Sequence, residues 1–252
     1  MIIKRVMPCL LLDNHRLVKT VKFNNGNYVG DPINAVKIYN EKEVDEIIVL
    51  DIKATIKKEK INFNLIKEIA SECFMPLTYG GGIKTLEDIK KLNYLGVEKF
   101  AINSFVLENP EFIKEASDLV GSQAIVVSID VRKRWNGRYE VFTNSNKKRT
   151  KKNPVEWAKE VEKLGAGEIL LTSIDKDGIM EGYDLELIKK VSENVNIPVI
   201  VCGGAGKIED FKKASDVGAS ALAAGSMVVY QGKNKGVLIN FPSREQLEAV
   251  LT

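Results

Sequence analysis

The amino-acid sequence predicts an α/β fold, a single (β/α)8 barrel of two half-barrel repeats spanning residues 1–252. Three observations carry that prediction. Short apolar runs alternate with amphipathic segments almost throughout the chain. The runs are rich in Val, Ile and Leu and lack polar alternation, the pattern of parallel strands covered by helices on both faces. The second half of the chain repeats the first.

Taken in order, the predicted strands are 5–11 (RVMPCLL), 46–52 (EIIVLDI), 76–79 (PLTY), 99–103 (KFAIN), 124–130 (AIVVSID), 168–174 (EILLTSI), 198–202 (PVIVC) and 220–224 (SALAA). Between them lie helical patterns such as 62–73, 85–95, 155–164 and 208–217. Asp31-Pro32, Thr85 with Asp88, and Asn153-Pro154 read as helix starts, each a short polar acceptor placed before a proline or three residues before an acid. Residues 12–31, which include Lys19, and 132–152 break the rhythm as long polar loops after the first and fifth strands. The second carries Asn136-Gly137, a hairpin-turn signal. Segments that follow strands lie at the C-terminal face, where barrel active sites sit.

An open doubly wound sheet would also alternate in this way, and the internal repeat decides against it. YGGGIKTLEDIKKLNYLGVEKFAINS (79–104) resembles CGGAGKIEDFKKASDVGASALAAGS (202–226), and DEIIVLDIKAT (45–55) resembles GEILLTSIDKDG (167–178). The spacing is roughly half the chain, as two (β/α)4 halves require.

Composition narrows the chemistry. A 44% hydrophobic and 28% charged chain supports a large core and is neither disordered nor collagen-like. No apolar run approaches the ~18 residues of a membrane helix, and the start shows no signal-peptide pattern, so a cytoplasmic protein is expected. Cys9, Cys73 and Cys202 lie far apart beside apolar runs and read as reduced core thiols. Cys9 is the tempting nucleophile, but it sits mid-strand with no base beside it. No spacing suggests a metal site, and no cofactor motif is present. The single histidine, His15, leaves acid–base work to other side chains. A net charge of +3 does not call for a nucleic-acid partner.

The candidate site residues cluster at strand ends. Gly80-Gly81-Gly82 and Gly203-Gly204-Ala205-Gly206 each follow a strand and precede a helix. Backbone N–H groups there can cradle a phosphate, completed by Asn103-Ser104 and Gly225-Ser226, or the glycines merely permit tight turns. Two related cradles on opposite sides of the mouth suit a bis-phosphorylated ligand. Asp51, Asp130 and Asp177 read as strand-end carboxylates, able to move protons or to cap loops. Lys19 can neutralise a phosphate. Arg5, Glu46, Lys99 and Glu168 begin strands, and form either a ring of ion pairs at the barrel base or ordinary surface charge. The run 132–152 has nine Lys/Arg and one Glu with Trp135 and Tyr139; a solvated loop near an anionic substrate accounts for it better than RNA binding does.

KRVMPCL, LDIKAT, YGGGI, GSQAIVVSID, VEKLGAGEILLTSIDKDG with GYD, and CGGAGK together resemble the cyclase subunit of imidazole glycerol phosphate synthase, the HisF family, to about residue 227. The resemblance implies a glutaminase (HisH-like) docked on the barrel base, ammonia crossing the barrel, and attack on a bis-phosphorylated ribulosyl nucleotide at the mouth. It implies a catalytic role for Asp130 and substrate or phosphate contacts for Lys19, Gly82, Asn103, Asp177, Gly178, Gly204 and Ser226. It further implies an ammonia gate of Arg5, Glu46, Lys99 and Glu168.

The family's other catalytic aspartate ends the first strand in a pattern like PCLD. This chain reads Pro8-Cys9-Leu10-Leu11, with Asp13 two residues on, and Ala101 replaces a common serine. The tail after residue 227 is similar to HisF paralogues associated with glycosyl amidation, which imply an ATP-using N-acetyl sugar amidotransferase as a further partner. The expectation is therefore an ammonia-channelling barrel for sugar amidation in surface-glycan synthesis. The alternatives are a histidine-pathway cyclase and a non-catalytic scaffold that activates the glutaminase.

Overall fold

The computed structural model describes residues 4–57, 59–143, 148–232 and 234–251. Eight parallel strands close into a barrel with helices around it, the TIM-barrel architecture. In chain order the elements of the first half are β1 (Arg5–Asp13), β2 (Arg16–Val21), β3 (Asn24–Gly30), α1 (Pro32–Glu41), β4 (Ile47–Asp51), α2 (Ala54–Lys57), α3 (Phe63–Glu72), β5 (Leu77–Gly80), α4 (Leu86–Tyr94), β6 (Lys99–Ile102), α5 (Ser104–Glu108) and α6 (Phe112–Val120). Those of the second half are β7 (Ile125–Lys133), β8 (Tyr139–Thr143), β9 (Lys148–Arg149), α7 (Pro154–Lys163), β10 (Glu168–Ser173), α8 (Leu185–Ser192), β11 (Val199–Cys202), α9 (Ile208–Asp216), β12 (Ala221–Ala224), β13 (Tyr230–Gln231), β14 (Gly236–Val237) and α10 (Arg244–Leu251).

Around the barrel the strands run β1, β4, β5, β6, β7, β10, β11 and β12, and β12 pairs back onto β1. Alternation along each strand then sorts side chains into two cores. Outward residues such as Leu10, Ile47, Phe100 and Leu171 meet the helices in the larger core, with Trp157, Tyr39 and Phe211 fully buried there. Inward residues fill the lumen: Met7, Ile48, Val126, Leu170 and Ile200, with Cys9, Ala101, Ala221 and Ala223. Among the described residues no helix is long and apolar enough to cross a membrane.

The helix-start readings correspond to caps. Asp31 accepts from the Asn34 amide, and Asn153 from the Val155 and Glu156 amides, each followed by proline in the first turn. Thr85 and Asp88 form a reciprocal capping box on α4.

The first long segment differs from its sequence reading, whereas the second carries the hairpin that its turn signal marked. Residues 12–31 are not a polar loop: β1 runs on to Asp13, and β2 and β3 form a hairpin paired to it. The turn between them is Lys22-Phe23, both at positive φ (51° and 62°), the geometry of a two-residue hairpin turn. Neither is the Asn or Gly that normally marks such a turn, so no local signal is present. In the second segment β7 extends past Asp130 to Lys133 and pairs antiparallel with β8 across a turn at Asn136-Gly137. Part of that basic run, residues 144–147, lies outside the described residues.

Replacing Thr85 by Ala removes one arm of the capping box. We expect a loss of about 1 kcal/mol in urea unfolding with an unchanged barrel; an unchanged midpoint would mean that packing alone holds α4.

Candidate active site

The inward positions of the eight barrel strands build a lumen with three kinds of layer. At the N-terminal end, Glu46 just before β4 and Glu168 opening β10 occupy equivalent places in the two half-barrels. Two like charges so placed would repel, and Arg5 and Lys99 separate them. The Arg5 guanidinium donates to Glu46 (2.6 Å) and Glu168 (2.6 Å), and the Lys99 ammonium donates to the same two carboxylates at 3.0 Å each. Thr78, on β5, donates to the remaining Glu46 oxygen at 2.8 Å. The result is a closed ring. The side chain of Glu46 is only 3% exposed, and burial of this kind is tolerable because each carboxylate meets two cations. Above the ring the lumen is apolar.

At the C-terminal end the lumen opens into a cleft lined from nearly every barrel strand. Asp130 points into it from β7. It does not end the strand, because the β8 hairpin continues the ladder beyond it. Its carboxyl accepts from the Asn103 amide at 2.6 Å. Burial, with a further push from the nearby Asp177, raises its pKa to about 7, despite the opposing hydrogen bond from Asn103. A carboxyl poised there can take up or deliver a proton near neutral pH.

Asp177 does not end β10 either; it lies in the turn beyond it, beside Gly178. Its carboxylate accepts from the Thr20 hydroxyl at 2.8 Å. Burial raises its pKa, while Thr20 and the Lys19 charge hold it down. Lys19 is on a strand, β2, rather than in a loop. It is 5% exposed, and its ammonium donates to the Cys9 carbonyl and rests over Gly225. Cys9 lies inside the lumen beside Cys202 on β11, and the neighbouring Cys202 thiol lowers the Cys9 pKa while that of Cys202 is raised.

The glycine clusters lie four strands apart, on opposite sides of the mouth. Gly82, Asn103 and Ser104 frame one side, and Gly204, Gly225 and Ser226 the other. Gly204 has φ +120°, and a Cβ there would approach the Gly182 carbonyl to 2.3 Å, so the close loop contact itself demands glycine. Asp51 borders the mouth, but one carboxylate oxygen accepts the Lys53 and Ala54 amides at 2.9 Å, which commits it to capping α2.

Leu11 lines the mouth opposite Asp130. The registers make the two positions equivalent: Leu11 pairs with Leu50 and Asp130 with Thr172, which correspond in the half-barrel repeat. Asp13 does not replace the missing carboxylate. It lies further along β1, outside the cleft, with Lys57 at 3.7 Å. The basic residues of 132–152 are largely engaged: Arg132 with Asp175, Lys133 with Glu186, Arg149 with Glu140, Lys148 with Glu108 and Lys152 with Glu160. Trp135 stands exposed at the hairpin tip.

Sequence reasoning missed Thr20 and Thr78. Thr78 carried a faint signal, a small polar residue in the mostly apolar run PLTY. Thr20 carried none, because the hairpin that brings it to Asp177 was itself unmarked.

Such a barrel, charged at its base and with two glycine turns and a near-neutral carboxyl at its mouth, has the build of an enzyme. The chain matches the family model described as histidine biosynthesis protein over residues 5–235. It is 49% identical over 252 residues to "Putative imidazole glycerol phosphate synthase subunit hisF2" of Pseudomonas aeruginosa, covering 98% of this chain and 99% of the relative. It is 47% identical over 248 residues to a Leptospira interrogans chain named "Putative imidazole glycerol phosphate synthase subunit HisF", covering 98% of each. It is also 52% identical over 222 residues to "Imidazole glycerol phosphate synthase subunit HisF" of Sulfurisphaera tokodaii, covering 88% of this chain and 89% of the relative. The chain belongs to the HisF family.

Asp130 gives a stability test. Unfolded, an aspartate titrates near ~4; folded, Asp130 titrates at about 7. The folded state therefore holds this proton more tightly, and stability is lost as pH rises through that window. Asp130→Asn should remove the loss, gaining stability over the parent by on the order of 2–4 kcal/mol between pH 4 and pH 8. A pH-independent difference in urea unfolding would contradict the burial argument.

Proposed function

We propose that this chain is the synthase subunit of an ammonia-using complex of the imidazole glycerol phosphate synthase type. A glutaminase docks on the barrel base. Ammonia passes the ring of Arg5, Glu46, Lys99 and Glu168 and crosses the lumen. It attacks a bis-phosphorylated ribulosyl nucleotide at the mouth, giving imidazole glycerol phosphate and aminoimidazole carboxamide ribotide. The observation that carries this is the alignment on one barrel axis of a charge-lined base, an apolar middle and a mouth holding Asp130. The apolar layer of Met7, Ile48, Val126 and Leu170 favours neutral ammonia over ammonium or a file of water. Gly82 with Asn103, and Gly204 with Ser226, hold the two phosphates through backbone and side-chain donors. Lys19 adds a positive charge on the second side. Asp130 relays protons as the ring closes. The names of the relatives favour this reaction over the sugar amidation expected from the sequence.

One observation keeps the second reading in play. Leu11 stands where Asp130's equivalent in the other half-barrel would place a carboxylate, and it can neither accept nor deliver a proton. In that reading the barrel delivers ammonia to an ATP-dependent N-acetyl sugar amidotransferase for surface-glycan synthesis, and cyclisation is vestigial. Cyclase assays with ammonium salt separate the two. Under the first reading the native chain forms imidazole glycerol phosphate and Leu11→Asp accelerates it, by a factor of about 10² to 10⁴ if a full proton-transfer group is restored. Absence of product from both proteins would favour the second.

The gate is tested with the glutaminase present. Lys99→Ala opens the ring on one side while Arg5 still pairs both glutamates. Glutamine-dependent turnover should fall several-fold relative to turnover on ammonium salt, by about 1 kcal/mol in the ratio of rates. Equal effects on both would remove the ring from the ammonia path.

A further inference from the structure

The β2–β3 hairpin is joined to the turn after β10. Three contacts join them. The Thr20 hydroxyl donates to the Asp177 carboxylate at 2.8 Å, the Phe23 amide reaches the same oxygen at 3.4 Å, and the Lys22 amide donates to the Asp177 carbonyl at 3.0 Å. Gly178 completes the seat: its φ is +73°, and a Cβ there would come within 2.2 Å of the Thr20 carbonyl. Thr20 is 5% exposed, so its hydroxyl has little water to fall back on if this bond is lost.

Thr20 is the residue next to Lys19, at an irregularity in the β2–β3 ladder, and both line the mouth. Thr20 reaches Asp177, and the Lys19 side chain extends toward β1 and Gly225. There its ammonium donates to the Cys9 carbonyl and lies 2.9 Å from where a Gly225 Cβ would be. Lys19 thus sits beside the Gly204, Gly225 and Ser226 cradle only while the hairpin is seated.

We propose that Thr20 is a positioning residue whose hydroxyl, by gripping Asp177, seats the hairpin and holds the Lys19 ammonium at the cradle. Its effect on substrate binding rests on the reading of the mouth as an anion site; its effect on Lys19 does not.

Acetylation of Lys19 by acetic anhydride, followed by peptide mass spectrometry on the full chain, tests the placement directly. In the parent, Lys19 should react far more slowly than exposed lysines. In Thr20→Val, which keeps the branched shape and loses the donor, Lys19 should react about tenfold faster, as expected for losing a hydrogen bond to a charged group. Thr20→Ser should restore the slow rate. Thr20→Ala serves as a second hydroxyl-free variant should valine disturb folding. Equal Lys19 reactivity in the parent and in the hydroxyl-free variants overturns the proposal. Affinity for inorganic phosphate, measured by calorimetry, should fall in Thr20→Val and recover in Thr20→Ser. If Lys19 is released with phosphate affinity unchanged, the latch stands and the reading of the mouth as a Lys19-assisted anion site fails.

Discussion

Everything in this protein is built around the narrow lumen of an eight-stranded parallel barrel. Alternate residues of every strand must point into it, and an interior that size is filled by side chains. At the base the chain puts charge where apolar residues would serve stability. The cost of burying Glu46 and Glu168 is offset because Arg5 and Lys99 each bridge both of them. Replacing such a ring by packed hydrophobes is often neutral or stabilising. Stability alone therefore does not account for the ring, which is the physical ground for the passage proposed at the base.

The two half-barrels are related closely enough for their departures to carry meaning. Glu46 and Glu168 keep the relation at the base. Leu11 and Asp130 break it at the mouth. In the symmetric arrangement two carboxyls would face each other across the cleft, each raising the pKa of its partner. Here Asp130 reaches near-neutral pKa mainly through burial, with Asp177 as its charged neighbour. The titratable groups Asp130 and Asp177 thereby stand on one side of the mouth, and Leu11 and Leu50 present apolar side chains on the other.

The barrel supplies rigid positions, and two hairpins complete the mouth. The β2–β3 hairpin brings Lys19 and Thr20 over the cleft. The β7–β8 hairpin ties Thr143 to Ser104 at the other side, at 2.5 Å. Both grow directly from barrel strands, so their placement inherits the register of the sheet. The basic residues of the second hairpin spend much of their charge on Glu140, Glu108, Glu160 and Glu186, which leaves a patterned surface and not a free cationic stripe.

Hydrophobic periodicity and the internal repeat determined the eight barrel strands, the half-barrel relation and the helix caps, because those signals are local or repeat at fixed spacing. The glycine clusters and the four base charges were also legible, since each stands at the end of a barrel strand, and Asp130 was legible as the acid closing an apolar run, although β7 continues past it. The tertiary structure decided the rest. Whether the four charges meet depends on four strands converging across a lumen, a contact no window of sequence contains. The β2–β3 hairpin depends on a Lys22-Phe23 turn in a backbone conformation that neither residue advertises, and is held by pairing to β1 and seating on Gly178. Asp51 and Asp177 look alike in the sequence, yet one caps a helix and the other faces Lys19, because only the folded chain determines which donor each carboxylate reaches first.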